Sequence, residues 1–119
     1  MSWLPGPAEL APEALAAYRD LYDGLWTTGL ERAVLDVCER RVHALVRCEP
    51  DPTSGLDLND AQRACLAFAE QYVLDPHGLR DDDFVALREH LDDSGIAALV
   101  LAVAMFDARA RFEVALEVA

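Results

Sequence analysis

The chain has 119 residues, 53% of them apolar, and 22 acidic against 10 basic residues give it a formal net charge of −12. This length fits one domain. Every basic residue is arginine, which excludes a lysine Schiff base and so covalent pyridoxal phosphate chemistry; an acidic surface with no basic stripe also repels nucleic-acid backbones and anionic membranes.

The opening MSWLPGPAEL has no basic segment followed by an apolar core, so no signal peptide is expected. Pro5, Gly6 and Pro7 keep residues 1–11 irregular. Beyond them alternation is absent and about a sixth of the residues are alanine, which predicts an all-helical chain. A first helix is expected from about Pro12, which suits a first turn, to Trp26. Leu15, Tyr18, Tyr22 and Leu25 form its apolar stripe, and Thr27-Thr28-Gly29 ends it.

The second helix is expected from about Leu30 to Arg47, with Leu35, Cys38, Val42 and Leu45 as its buried line. Arg32, Asp36, Arg40, His43 and Arg47 make a separate polar line at spacings of three and four. The loop EPDPTSGLDL cannot continue the helix. Asn59 is a good N-cap for the third helix, with Gln62 as capping-box partner and Cys65, Phe68, Ala69 and Tyr72 facing inward. Asp75-Pro76-His77-Gly78 is a tight break. Asp81, Asp82 and Asp83 open a short fourth helix, where the helix dipole favours carboxylates, and Phe84, Leu87 and Leu91 are its inner side.

Asp92 can cap the last helix, which runs to about Val118, with Gly95 weakening its first turn. From Ile96 to Phe106 this helix is apolar on all sides. Its run is too short for a membrane span, which needs about twenty residues, and too greasy to be enclosed by four short helices, so a subunit interface is expected. Arg109, Arg111 and Glu113 mark its return to solvent. Three cysteines without framework spacing fit a reducing compartment. A cytoplasmic protein is therefore expected.

The stretch LERAVLDVCERRVHALVRCEP, followed by ACLAFAEQ, DPHGLRDDDFVAL and a long final helix ending in ARARF, resembles the carboxymuconolactone decarboxylase and alkylhydroperoxidase D-like family over about residues 25–117. The resemblance implies a helical bundle of about five or six helices in a single domain, assembled as a homo-oligomer, a trimer or a hexamer. Peroxidases of this family carry Cys-x-x-Cys, a glutamate twelve residues before the first cysteine and a histidine four after the second. By that resemblance Cys48 takes the first cysteine's place, Asp51 the second's, Asp36 the glutamate's and Gly55 the histidine's.

A dithiol centre needs a second thiol to resolve the oxidised first one. Cys38 is ten residues back on the same helix, roughly 15 Å away at 1.5 Å per residue, and a disulfide needs Cα atoms within about 7 Å. Cys65 faces inward as a small core hydrophobe. A dithiol peroxidase is therefore not expected, and a one-cysteine peroxidase would need an outside thiol. Cys48 also reads simply as a helix-end thiol beside Glu49 and Asp51.

Two other readings remain. In one, the chain is an acid–base enzyme without a cofactor, performing decarboxylation, isomerisation or lactone processing of a small carbonyl compound. In a trimer the polar line would turn inward as a pocket between subunits: Asp36 or His43 would move the proton, Arg40 would hold a carboxylate and Cys48 would lie nearby, with Trp26, Arg32 and His77 as substrate contacts. In the other, the chain is a non-catalytic helical oligomer that binds a small apolar ligand or a partner protein, and the polar line is a solvated face laced with ion pairs. His77 then serves its turn and His90 faces solvent. No histidine and cysteine spacing predicts a metal site, and Asp81–Asp83 lacks the glycine and distant glutamate of a calcium loop.

Overall fold

A computed structural model describes residues 11–118, with five α-helices and no strand among them. The expected irregular segment 1–11, and Trp3 within it, lie outside the described residues apart from Ala11. The helices are α1 (Pro12–Gly24), α2 (Arg32–Arg47), α3 (Asp60–Leu74), α4 (Asp81–Arg88) and α5 (Asp93–Val118). Short 3-10 turns follow α1 at Leu25–Thr27 and α3 at Pro76–Gly78.

Local chemistry sets most of these boundaries. Pro12 stands in the first turn of α1. The Thr27 and Thr28 hydroxyls donate to the carbonyls of Gly24 and Leu25, both at 2.8 Å, and close that helix. Gly29 then turns the chain at φ 90° and Glu31 is still extended, so α2 begins at Arg32 rather than Leu30. At α3 the capping box is complete: the Asn59 side chain accepts from the Gln62 amide at 2.8 Å, and the Gln62 side chain accepts from the Asn59 amide at 3.0 Å. Gly78 needs its missing Cβ, because a side chain there would collide with the Asp75 carboxylate that accepts its N–H at 3.1 Å. Asp92 caps α5 by accepting from the Gly95 amide at 2.7 Å.

Helix α2 is central, with α3 on one side and α5 on the other. Toward α3 and α5 it buries Val34, Leu35, Cys38 and Val42. Leu45, expected in that line, is half-buried, and Ala44 is buried instead. Phe68 packs edge-on against Phe84 at 5.7 Å between ring centroids, which ties α4 to α3. Tyr22, Trp26 and Phe106 form a second aromatic cluster joining α1 to α5, with centroids 5.6–5.8 Å apart. Cys38 and Cys65 belong to the core, and burial pushes their thiols up to about 12 and about 11.

The chain covers its greasy last helix better than its sequence suggests. Ile96, Leu99, Ala102, Val103 and Phe106 are all buried, because the aromatic cluster and α2–α4 together wrap most of the rod. One stripe stays open, along Ala97, Leu101, Ala108, Phe112 and Ala115. Leu101 and Phe112 are each 44% exposed on it. No helix among the described residues is long and apolar enough to cross a membrane.

Candidate functional site

Helices α2 and α5 meet along a polar seam that opens into a groove. His43 lies against Glu113 and Arg47 against Glu117, each pair 70 residues apart in sequence, and Glu39 and Arg109 stand at the same separation. A constant offset means the helices run in the same direction. Each contributes one side chain per turn, and His43 and Arg47 meet carboxylates across the seam. Tyr22 of α1 completes the arrangement. Its hydroxyl donates to Glu39, and the Arg109 guanidinium sits over its ring, 4.6 Å from the centroid.

The groove has a volume of about 370 Å³. Glu39, Arg40, His43, Arg109 and Glu113 form its polar wall. Phe106, Ala44, Ala110, Pro50 and Pro52 supply its apolar lining, and Tyr22 and Glu49 complete it. Burial raises the Tyr22 phenol pKa, and the hydrogen bond and charge of Glu39 raise it further, so this group keeps its proton at neutral pH. Burial also works to raise the Glu113 carboxyl, but hydrogen bonds from Arg109 and His43 outweigh it and hold Glu113 below the usual carboxylate range. His43 Nε2 is 3.3 Å from Glu113 Oε2. A carboxylate only accepts, so in the neutral ring Nε2 carries the hydrogen and Nδ1 the lone pair.

A largely buried arginine outside the polar line lies within ion-pair range of the loop wall. The Arg41 side chain is only 15% exposed and reaches Asp51 at 3.8 Å and Glu70 of α3 at 3.5 Å. Asp51 accepts from the Thr53 hydroxyl at 2.6 Å and the Thr53 amide at 2.8 Å. The Thr53 hydroxyl is the main cause that lowers the Asp51 pKa; burial opposes it, and the Thr53 amide and Arg41 add to it. Thr53 is itself buried. The position that the family resemblance gives to a resolving cysteine thus holds a carboxylate that closes the turn from Asp51 to Thr53. Gly55, at the expected histidine's position, lies at φ 84°, a backbone that disfavours any side chain.

Of the residues singled out in the sequence, the groove gathers Arg40 and His43. Asp36 lies outside it, paired at 3.8 Å with Arg32, whose side chain is 81% exposed. Within one chain that pair lies on a partly solvated face, and the acid–base role expected for Asp36 belongs to a pocket that a neighbouring copy would have to complete. Trp26 packs behind the groove on Tyr22 and Phe106 rather than lining it. His77 is exposed in the turn after α3.

Cys48 is exposed and ends α2 in a left-handed conformation, φ 56° and ψ 38°. The Glu49 amide donates back to the Ala44 carbonyl at 2.9 Å, which makes this a Schellman-type end with cysteine where glycine is usual. Its neighbours Glu49 and Pro50 line the groove, but Cys48 does not. Among the described residues no three histidine, cysteine, aspartate or glutamate side chains gather as a metal site.

Sequence reasoning missed Tyr22, Glu39, Arg109 and Glu113 as site residues. The available signal was a match between two spaced triads: Glu39, His43 and Arg47 recur every four residues, and so do Arg109, Glu113 and Glu117 with the opposite signs. A second hollow, of about 470 Å³, lies at the other end of α2 between Glu31, Cys65, His90, Asp92 and Ser94. It contains none of the predicted site residues.

A solved structure of a protein of unknown function from Agrobacterium tumefaciens, described as a candidate AhpD antioxidant-defence protein, superposes with a TM-score of 0.83. The likeness covers 98% of this chain and 96% of that one at 20% sequence identity. The fold is the AhpD-like helical fold. The chain matches no family model and no curated protein sequence. Within the AhpD-like fold, this chain's exposed Cys48 has no second thiol beside it, since Cys38 and Cys65 are buried in the core.

Proposed function

We propose that the protein is an acid–base enzyme without a cofactor, acting on a small carbonyl compound in the groove between α2 and α5. The observation that carries this reading is the His43–Glu113 pair. A carboxylate that accepts from Nε2 orients the imidazole and leaves Nδ1 as a base in a groove that also holds a guanidinium, Arg40. His43 takes a proton from the carbon beside the carbonyl, and the C–H electron pair moves onto the carbonyl oxygen. Return of that proton to a different carbon is isomerisation. In decarboxylation the electron pair comes instead from the bond to the departing carbon dioxide, and His43, having taken up a proton from solvent at Nδ1, delivers the proton that replaces it. Arg40 stabilises the developing oxyanion or holds a substrate carboxylate. Tyr22, Glu39 and Arg109 keep the frame rigid.

The test is hydrogen exchange. The protein is incubated in deuterium oxide with a panel of small amino acids, oxo acids and lactones, and deuterium uptake next to the carbonyl or carboxyl group is followed by NMR. The parent incorporates deuterium into at least one compound, His43→Gln loses about 100-fold or more of that rate, and Cys48→Ser keeps it. A parent that exchanges nothing, or a His43→Gln variant as fast as the parent, sinks the reading. Thiol-dependent peroxidase activity ranks below it because Cys48 stands alone.

Assembly of copies belongs to the same proposal. The open stripe through Leu101 and Phe112 fits against the same stripe of a second copy, whose alanines allow close approach. Sedimentation of the parent against Leu101→Asp tests it: the parent is an oligomer and the variant is smaller, whereas a monomeric parent ends this part of the proposal.

A further inference from the structure

The charges in the groove are not evenly spoken for. Glu49 is bound by Arg47 at 3.2 Å. Glu113 is bound by Arg109 at 3.1 Å and by His43 at 3.3 Å. Each of those acids is matched by an arginine, and Arg109 is itself matched. Glu39 is different, since its carboxylate accepts from the neutral Tyr22 hydroxyl and meets no cation among the described ion pairs. Arg40, the next residue, makes no ion pair or side-chain hydrogen bond among the described residues, and its side chain is exposed along the groove. The groove therefore presents one unmatched negative head and one unmatched positive head from neighbouring residues of a single helix. The same groove is lined by the apolar side chains of Phe106, Ala110, Pro50 and Pro52.

We infer that the groove binds a small zwitterion with an apolar side chain, an amino acid or close derivative, with its carboxylate on Arg40 and its ammonium on Glu39. The inference rests on the acid–base reading in that it names what the same groove takes. The whole-molecule field supports the choice. At a net charge of −12 the surface repels a free monoanion, and this is strongest at low salt. A plain ammonium is drawn toward Glu39 but meets Arg40 beside it. A zwitterion carries no net charge through that field and satisfies both heads. The C–H bond between its two charged groups is the one that His43 would act on.

Three probes of nearly equal shape separate the contributions: phenylalanine, 3-phenylpropanoate, which lacks the ammonium, and 2-phenylethylamine, which lacks the carboxylate. Binding to the full chain is followed by calorimetry and by amide shifts at Ala44 and Ala110. Phenylalanine is expected to bind about tenfold or more tightly than either analogue, because each loses one charged hydrogen-bonding partner. Arg40→Gln should weaken phenylalanine and 3-phenylpropanoate but not 2-phenylethylamine. Glu39→Gln, which keeps an acceptor for Tyr22, should weaken phenylalanine and 2-phenylethylamine but not 3-phenylpropanoate.

Phenylalanine binding no more tightly than both analogues, the two variants affecting all three probes alike, or no probe shifting the groove amides would each overturn the inference. The acid–base reading fails separately. A parent that binds phenylalanine with this selectivity, yet exchanges no hydrogen on any substrate of the panel, leaves the ligand class standing and removes the catalysis.

Discussion

Helix α2 holds the molecule together along one face and assembles chemistry along another, and the two faces obey different physics. Against α3 and the core it buries Leu35, Cys38 and Val42, none more than 1% exposed. Along α5 it sets Glu39, His43 and Arg47 beside Arg109, Glu113 and Glu117, with the His43 side chain 44% and the Glu113 side chain 37% exposed. The first face depends on volume and is indifferent to charge state. The second depends on charge state and contributes little to stability, because exposed pairs are screened and each costs side-chain entropy. One helix can therefore carry a site whose residues are free to change without unfolding the chain.

The sharpest way to break the contrast is to cut each face in turn. Leu35→Ala removes a wholly buried side chain and should lose about 2–5 kcal/mol in urea unfolding. Glu113→Gln should lose less than about 1 kcal/mol while abolishing hydrogen exchange in the groove. If the two variants lose equal stability, the division between faces is wrong.

Arg41 lies between these extremes, since it is charged yet mostly buried. Arg41→Met should cost about 1–3 kcal/mol, with the Asp51 and Glu70 partners still partly solvated. It should also speed hydrogen–deuterium exchange at the Thr53 amide, whose acceptor Asp51 is then unanchored. Unchanged exchange at Thr53 would show that the loop wall holds without Arg41.

A smaller gain is expected from Cys48→Gly. The left-handed backbone there suits glycine and strains cysteine, so the variant should be about 1 kcal/mol more stable. A destabilised variant would mean that the thiol makes contacts the helix end depends on.

The smallest effect is one of pH. Glu113 titrates below its ordinary range in the folded chain, so its contribution is fully present above about pH 4.3, the unperturbed glutamate value, and is lost as the pH falls through the lowered one. Asp51 behaves in the same direction. Acid unfolding of the parent should therefore have a limb below about pH 4 that Glu113→Gln flattens, whereas Leu35→Ala shifts the whole curve without changing its shape. A limb identical in the parent and in Glu113→Gln would show that the seam adds nothing to acid stability.

The face that depends on volume was largely legible in the sequence. Leu35, Cys38 and Val42, the Asn59–Gln62 box, the Asp92 cap and the Asp75–Gly78 break are all set by neighbours within about four residues, so spacing and capping chemistry reveal them. Leu45 was misplaced because the choice between it and Ala44 rests on where α5 lies. The polar line was seen as a line, but its meaning was not. The partner of Glu39 is 17 residues away and that of His43 is 70 away, and no local pattern encodes such meetings. Asp36 drew attention through the family resemblance, yet it sits on the part of the helix that faces water with Arg32. The covering of Ile96–Phe106 was underestimated for the same reason: the reach of Tyr22, Trp26 and Phe106 across the fold is a tertiary fact.

The left-handed end of α2 also has a practical consequence. Cys38 and Cys65 are sealed in the core and Cys48 is exposed, so a thiol-reactive dye will attach at one place on the unaltered protein. That place is held by two backbone hydrogen bonds and adjoins Glu49 and Pro50 on the groove wall. A polarity-sensitive fluorophore there would report occupancy in real time, with no engineered cysteine and no knowledge of turnover.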